Sequence, residues 1–188
     1  MVNKNIGEQI LSHYEKYLGN YADASVFAGT KESYPIQALK FANVLDGLKT
    51  FATLGFSKYA DEVKNKAEIV FSVDENLEDT LLTIIMNALF FITENQIDFG
   101  KGSFIKGIEK INADFANSHN IRAVYFTVPF VFPEDFSEIE DEIKIYEAFF
   151  ITQSELEYLE KNGAESFEDY LEENEIDVFD ITRSLTMS

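Results

Sequence analysis

The sequence predicts a single α+β domain, in which helices pack against a mixed, mostly antiparallel β-sheet. Short apolar runs between residues 24 and 73 have the two-residue period of strands, and the stretches on either side have the period of helices. The chain has 188 residues, 46% of them hydrophobic and 14% aromatic, which is enough for a buried core. It contains no internal repeat or linker, so we expect residues 1–188 to form one domain.

The first helix is predicted from apolar residues that recur every four positions until a glycine can end it: Ile6, Ile10, Tyr14, Leu18 and Gly19. The extended runs that follow are ASVFAG (24–29), PIQALKFANV (35–44), LKTFATLGF (48–56) and AEIVFSV (67–73). The dipeptide Asp46-Gly47 is typical of a hairpin turn between the second and third runs. We therefore expect consecutive, antiparallel strands.

The next stretch, residues 77–92, leaves little polar surface and predicts a helix at the centre of the core, with Asp74 or Asn76 as its cap. Residues 99–103 predict a loop and residues 104–115 a short helix. Two further strands are expected at 122–130 and 145–152. The order of these elements favours helices layered on one sheet.

The C-terminal quarter is predicted to contain two short helices and an extended exit. Thr152 and Glu155 have the spacing of a capping box, and Gly163 can end the helix that they begin. Ser166 is expected to cap the second helix, whose buried stripe would be Phe167, Tyr170 and Leu171. Residues 176–181 are expected to leave it as a strand.

The charge of the chain is concentrated in this quarter. The whole chain has 34 acidic and 15 basic residues, a net charge of −19, and residues 134–180 alone have 18 acids and two bases. So little basic charge disfavours binding to nucleic acid or to an anionic membrane, and a basic partner is favoured instead. Because apolar residues are interleaved with the acids, we expect a folded segment with its acids on the outer faces rather than a disordered tail.

The remaining patterns favour a cytoplasmic protein without catalytic, cofactor or metal residues. There is no cysteine, and the N-terminus does not resemble a signal peptide. The most apolar stretch, residues 81–92, is shorter than the ~20 residues that span a bilayer. His13 and His119 are expected on the surface and in a loop, and residues 100–103, 74–79 and 134–142 lack the spacing of phosphate or calcium loops.

Several motifs in a fixed order resemble the Suppressor-of-fused-like family over about residues 20–185. They are TFATLGFSKY (50–59), in which Gly55 suggests a close backbone approach, then AEIVFSVDE (67–75), the long apolar helix, Pro129-Phe130, FFITQSELEYLEKNG (149–163) and DITRS (180–184). The resemblance implies an α+β domain without catalytic activity. Short bacterial members look like immunity proteins or antitoxins of polymorphic toxin systems, some of them paired with LXG-type toxins that carry a nuclease domain.

The resemblance and the charge together lead us to expect an immunity protein that neutralises a basic toxin, a nuclease, by stoichiometric blocking with an acidic surface. The alternatives are a non-catalytic adaptor that sequesters a basic regulatory protein, and a calcium- or magnesium-dependent protein. The aromatic anchors of such a surface would be Tyr158, Phe167, Tyr170 and Phe179. The predicted partner-binding residues are Glu157, Tyr158, Glu160, Glu165, Glu168, Asp169, Glu172, Glu173, Glu175 and Asp177.

Overall fold

The computed structural model describes residues 5–29, 34–140 and 142–183. Within these residues, eight strands form one sheet: β1 Tyr21–Phe27, β2 Ile36–Phe41, β3 Leu48–Leu54, β4 Ala67–Asp74, β5 Phe104–Lys106, β6 Ile121–Thr127, β7 Glu138–Ile139 and β8 Ile143–Thr152. The helices of the described residues are α1 Ile6–Leu18, α2 Ala60–Val63, α3 Glu78–Glu94, α4 Ile108–Ile111, α5 Ala113–Ser118, α6 Gln153–Asn162 and α7 Ala164–Glu173.

The strand order is β1-β2-β3-β4-β8-β6-β5, with β7 paired to the first residues of β8. Every neighbouring pair is antiparallel except β4 and β8, which run parallel. The predicted mixed, mostly antiparallel sheet is therefore confirmed. β8 lies in the middle of the sheet, and α6 begins where this central strand ends. α7 follows α6 directly after Gly163.

One face of the sheet is covered by α3, as predicted. Leu81, Ile85 and Leu89 are fully buried there, against residues such as Phe71 and Phe150. Residues Glu75–Glu94, which include α3, are long and apolar enough to cross a membrane by length and composition, but just over half of that stretch is buried inside the fold. Its apolar character is what a helix in the centre of a core requires.

The opposite face has two separate apolar clusters, because successive side chains of a strand point to opposite faces. The first cluster packs α1 against β4 and the start of β8, through Tyr14, Val70 and Ile145 among others. The second packs α6 and α7 against β6 and the end of β8, through residues such as Phe149 and Phe167. The two clusters place α1 and α7 over different halves of the same face.

The predicted helix starts and ends are confirmed at three places. Gly19 follows α1, Thr152 with Glu155 forms the capping box of α6, and Gly163 follows α6. The cap expected for α3 is not where it was predicted, because Asp74 caps the 3₁₀ turn Glu75–Leu77 and α3 begins after Leu77 without a side-chain cap. Asp46 and Gly47 form a turn, but the connection between β2 and β3 is longer than a two-residue hairpin. Local sequence therefore determines these boundaries.

Four other predictions about local structure are wrong. The helix expected over residues 104–115 begins as β5, because Phe104 pairs with β6, and only its second half is helical. Ser166 does not cap α7, which begins at Ala164 directly after Gly163. The exit strand over residues 176–181 is a series of turns. His13 is half-buried rather than on the surface, with Nε2 3.0 Å from the carbonyl oxygen of Phe136.

Candidate partner-binding site

A buried ion pair fixes the acidic stretch to the sheet. Arg183 Nε donates to Glu155 Oε1 at 2.8 Å and Nη2 donates to Oε2 at 3.0 Å, while Nη1 donates to the carbonyl oxygen of Val178 at 2.8 Å. The side chains of Arg183 and Glu155 are only 6% and 0% exposed. Glu155 Oε2 also accepts the backbone N–H of Thr152 at 2.7 Å, as a capping box requires.

The ion pair brings together two motifs that are separate in sequence, FFITQSELEYLEKNG (149–163) and DITRS (180–184). The carboxylate that begins α6 and the arginine near the end of the described chain hold both ends of residues 155–183. This arrangement excludes a disordered tail. It also excludes Glu155 from any partner-binding surface, so the expectation that the acids lie on the outer faces is wrong for this residue.

The TLGFS motif is also structural. Its backbone and hydroxyl groups donate five hydrogen bonds to the fully buried carboxylate of Glu68: Thr53 Oγ1 at 2.6 Å, Gly55 N at 2.9 Å, Phe56 N at 3.2 Å, Ser57 N at 3.2 Å and Ser57 Oγ at 2.7 Å. Burial raises the pKa of Glu68 above its usual range, and these donors oppose the rise. Gly55 has φ 118°, and a Cβ there would lie 2.9 Å from the carbonyl oxygen of Pro35, which confirms the predicted close approach.

Most acids of residues 134–180 lie in two regions that differ in their partners. In the α1-side acidic region, residues 134–142, Asp135 accepts a hydrogen bond from Tyr17, Glu138 pairs with Lys144 and Glu142 pairs with Lys66. The hydroxyl of Tyr17 and the ammonium of Lys66 hold the pKa values of Asp135 and Glu142 below their usual range. Three of the five described acids of this region are therefore matched by donors or cations of the same molecule, whereas Glu134 and Glu140 are exposed and make no ion pair among the described residues.

In the α7 acidic region, residues 164–177, most acids have no such match. Glu168 pairs with Lys101. Within the part of the chain that the structure describes, the other six predicted acids of this region make no ion pair. Five of them are exposed on α7 and the turn after it: Glu165, Asp169, Glu172, Glu173 and Glu175. Asp177 is also exposed, and its Oδ1 accepts the backbone N–H of Phe179 at 3.0 Å. This region therefore presents most of the uncompensated negative charge that the sequence predicts.

The predicted residues on α6 are less prominent. Glu157 is exposed and accepts a hydrogen bond from Gln153 at 2.7 Å, and Glu160 pairs with Lys106 at 2.6 Å. Tyr158 is half-buried, with its ring 5.2 Å from that of Tyr170. These side chains border the α7 acidic region rather than form its centre.

Stability of the helix does not explain the acids at the end of α7. A helix C-terminus carries partial negative charge, so carboxylates there are unfavourable and cations are favourable. In α6 the charges follow this rule, with Glu155 in the first turn and Lys161 in the last. The last turn of α7 instead contains Glu172 and Glu173 and no base. Residues that oppose the local energetics are candidates for a functional role.

A groove of about 530 Å³ lies beside these acids, and we call it the α7 groove. It runs between the end of β6 and the segment from α7 through the following turns. Its apolar lining residues are Val128, Phe130, Leu171, Ile176 and Val178, its carboxylates are Glu168, Glu172 and Glu175, and Lys101 and Thr127 complete it. Lys101 is the only base among the described residues that line it. The groove thus combines apolar area with excess negative charge.

Glu168 is the most firmly held of these carboxylates. Its Oε1 accepts the hydroxyl groups of Tyr125 at 2.9 Å and Thr127 at 2.6 Å, and its Oε2 is 2.7 Å from Lys101 Nζ. Burial, followed by the charge of Glu168 and its hydrogen bond, raises the pKa of Tyr125 well above its usual range. The hydrogen bond and charge of Glu168 likewise raise the pKa of Lys101. Tyr125 therefore remains a donor and Lys101 remains charged at physiological pH.

The loop after β6 adds exposed apolar side chains at the rim of the groove. Val128, Phe130 and Val131 are 44%, 52% and 38% exposed, and the Phe130 ring is stacked 6.0 Å from that of Phe179. Exposed apolar groups next to each other are typical of interaction surfaces. Phe179 was identified from the sequence, but Val128 and Phe130 were missed as surface anchors, although the apolar run VPFVF (128–132) around a proline could have been noticed. Phe167, proposed as an anchor, is wrong because its side chain is fully buried.

A third buried carboxylate, Glu147, lies beneath this loop. Its Oε2 accepts the backbone N–H of Phe130 at 3.2 Å, and its Oε1 has no hydrogen-bond partner among the described residues. Burial raises the pKa of Glu147 to about 8. Glu147 is thus the second exception to the expectation that the acids lie outside. Among the described residues, no group of three or more His, Cys, Asp or Glu side chains is placed to hold a metal ion.

These observations define an α+β protein with one sheet and a candidate docking groove on its surface. The chain belongs to the Suppressor of fused protein (SUFU) family, whose model matches residues 32–184. The resemblance seen in the sequence is therefore confirmed.

Among its relatives, Immunity protein YqcF of Bacillus subtilis (strain 168) is 26% identical over 146 residues, which cover 73% of this chain and 74% of that protein. The crystal structure of a SUFU homologue from Neisseria gonorrhoeae FA 1090 has the same fold, with a TM-score of 0.74 over 97% of both chains and 17% identity. The name of the first relative describes that protein as an immunity protein, and the second likeness concerns the fold alone.

Proposed function

We propose that this protein is an immunity protein, or antitoxin, that neutralises a cognate toxin by binding it stoichiometrically. The observation that carries the proposal is the α7 groove, where apolar side chains lie beside Glu172 and Glu175, which make no ion pair among the described residues. The likeness to Immunity protein YqcF supports a toxin as the partner. Blocking of this kind needs no catalytic residue and no cofactor.

The charge of the site favours a basic toxin, and we propose a nuclease. A nuclease binds phosphates and therefore presents a basic cleft, which fixed carboxylates on a rigid helix can occupy in place of the nucleic-acid backbone. Glu172, Glu173 and Glu175 are exposed along this surface. Uncompensated charge raises association rates by ~10 to 1000-fold at low salt, and an immunity protein has to capture its toxin quickly.

Affinity would come from the apolar part of the site. Val128, Phe130 and Phe179 can be covered by a partner, and anchors of this type contribute most of the binding energy of protein interfaces. The surrounding carboxylates would then orient the partner and exclude neutral surfaces. We propose the cytoplasm as the compartment of this encounter, since a chain without cysteine suits a reducing environment.

The experiment that tests the proposal uses the product of the neighbouring open reading frame as the candidate toxin. Co-expression should protect cells from it, the two proteins should co-purify in a fixed ratio, and this protein should inhibit its nuclease activity. Binding kinetics at several salt concentrations should show association that slows as ionic strength rises. Association that is independent of ionic strength would contradict the acidic surface as the docking face.

A matched pair of variants locates the surface. Replacing Glu172, Glu173 and Glu175 by Gln should reduce the association rate about tenfold at low salt. Replacing Glu138 and Glu142 by Gln, in the α1-side acidic region, should change it much less, because that region lies beside α1, over the other half of the sheet face from the α7 groove. If the protein instead binds a basic regulatory protein and gives no protection from a toxin, the adaptor hypothesis replaces this one.

A further inference from the structure

Lys101 and Glu168 form an ion pair inside the α7 groove, and its two partners are held very differently. Glu168 Oε1 is occupied by two hydroxyl donors from β6, Tyr125 and Thr127, so only Oε2 faces a cation. The Glu168 side chain is 22% exposed, whereas that of Lys101 is 54% exposed. The carboxylate is therefore fixed and oriented, and the ammonium group lies at the end of a flexible, solvated side chain.

The backbone that carries Lys101 is also fixed, so the ammonium can leave without movement of the loop. Gly102 N donates to the carbonyl oxygen of Phe126 at 2.8 Å, and Phe126 N donates to that of Ser103 at 2.9 Å. Gly102 has φ 82°, and a Cβ there would lie 2.9 Å from the Cβ of Ala164 at the start of α7. Exchange of one cation for another at Glu168 thus requires only new χ angles for Lys101.

We propose that Lys101 occupies, in the free protein, the position beside Glu168 that a basic side chain of the partner takes in the complex. On binding, an arginine of the partner, flanked by apolar residues, displaces Lys101 from Glu168. The guanidinium would donate to Glu168 Oε2, and its remaining donors face a groove that also contains Glu172 and Glu175. The flanking apolar residues would cover Leu171, Ile176 and Val178. The inference rests on the proposed function, since it assigns the class of partner segment that the same groove takes.

Charge complementarity selects this occupant. The groove presents three carboxylates and one lysine, so it carries excess negative charge even while Lys101 is in place. When Lys101 leaves Glu168 it remains near Glu165 and Asp169, which already attract it electrostatically. A neutral apolar segment would leave the carboxylates at the edge of its interface without a partner, at a cost in affinity.

The test uses the full chain labelled with ¹⁵N and a capped peptide, acetyl-Leu-Arg-Leu-amide, followed by NMR titration up to millimolar peptide. The expected result is a set of amide shifts at Lys101, Val128 and Leu171. A peptide with citrulline in place of arginine, which is similar in shape but neutral, should bind about tenfold more weakly. Equal binding of the two peptides, or no binding of the arginine peptide to any variant, would overturn the inference.

Two variants and a control separate displacement from simple attraction. Lys101→Met should strengthen binding of the arginine peptide about tenfold, because the competing ammonium is absent. Glu168→Gln should weaken it by a similar factor while keeping an oxygen for Tyr125 and Thr127. Lys106→Met, which removes a lysine paired with Glu160 outside the groove, is the matched control and should have little effect. If Lys101→Met behaves as Lys106→Met does, Lys101 is not a place-holder.

The peptide result and the toxin result are independent. Peptide binding that responds to Lys101→Met, without protection from any toxin, would support the class of ligand and remove the immunity role. The opposite outcome is also possible: the wild type does not bind the peptide, yet the wild type and Glu168→Gln protect cells from a toxin equally well. That outcome would preserve the immunity role and overturn the inference. Thermal unfolding of each variant confirms that it is folded.

Discussion

The two acidic surface regions of this molecule are both rich in carboxylates but differ in what those carboxylates contact. In the α1-side acidic region, Tyr17, Lys144 and Lys66 match the acids Asp135, Glu138 and Glu142. In the α7 acidic region, most carboxylates make no ion pair among the described residues, and two of them lie at the C-terminus of α7, where the helix dipole disfavours negative charge. Acids of the first kind can hold elements of the fold together, whereas acids of the second kind are available to another molecule.

The comparison shows why net charge alone does not identify a binding surface. Residues 134–180 contain 18 acids, but two of them, Glu147 and Glu155, are buried in the fold. Others are compensated by nearby lysines. What distinguishes the α7 acidic region is the combination of unmatched carboxylates, a groove and exposed apolar side chains at its rim.

The largest expected effect tests whether an acid of the C-terminal quarter can be purely structural. Glu155→Ala leaves the guanidinium of Arg183 buried without its partner, and we expect a loss of ~3–5 kcal/mol in the free energy of unfolding. Urea denaturation measures it. Glu157→Ala is the control on the same helix, since Glu157 is exposed and accepts only from Gln153. A loss from Glu155→Ala no larger than that from Glu157→Ala would refute the structural role.

A smaller effect concerns the pH dependence that Glu147 brings to the fold. Its pKa is raised from 4.5 to about 8 in the folded state, so between these values the folded state keeps a proton that the unfolded state has lost. The contribution of Glu147 to stability is therefore complete below pH 4.5, decreases as pH rises, and becomes constant above about 8.

The measurement is the free energy of unfolding of the wild type and of Glu147→Gln from pH 4.5 to 8.5. Because Gln does not titrate, the wild type should lose stability relative to the variant as pH rises, whereas the other titrating groups cancel in the difference. Parallel curves for the two proteins would mean that Glu147 is ionised in the folded state. Because Glu147 accepts the backbone N–H of Phe130, these unfolding measurements also report on the loop at the rim of the α7 groove.

Much of the fold could be predicted from sequence because it is encoded locally. The period of residues 77–92 predicted α3, and Thr152 with Glu155 predicted the start of α6. The failures have non-local causes. Phe104 is in a strand because β6 is there to pair with it. Phe167 is buried against β6 and β8, as its place in the apolar stripe of α7 predicted, so only its second assignment, as an aromatic anchor, is wrong.

The candidate site could be predicted only in part for the same reason. Seven of the ten predicted partner-binding residues belong to α7 and its following turns, because clustered charge is visible in sequence. The groove itself is not visible, since it joins Lys101, Thr127 to Phe130, and Glu168 to Val178, three segments that only the sheet brings together. The pairing of Glu155 with Arg183 likewise depends on the path of the chain between them.

The smallest expected effect has opposite signs in the two acidic regions. Glu138→Gln removes one partner of the ion pair with Lys144 and should lower the free energy of unfolding by ~0.2–1 kcal/mol. Glu173→Gln removes an unmatched charge from the C-terminus of α7 and should raise it by ~0.3–1 kcal/mol. Thermal unfolding at low ionic strength measures both, and the two differences should shrink in 1 M salt, where exposed charges are screened. Destabilisation by Glu173→Gln would show that the α7 acids support the fold, and the contrast between the regions would then be lost.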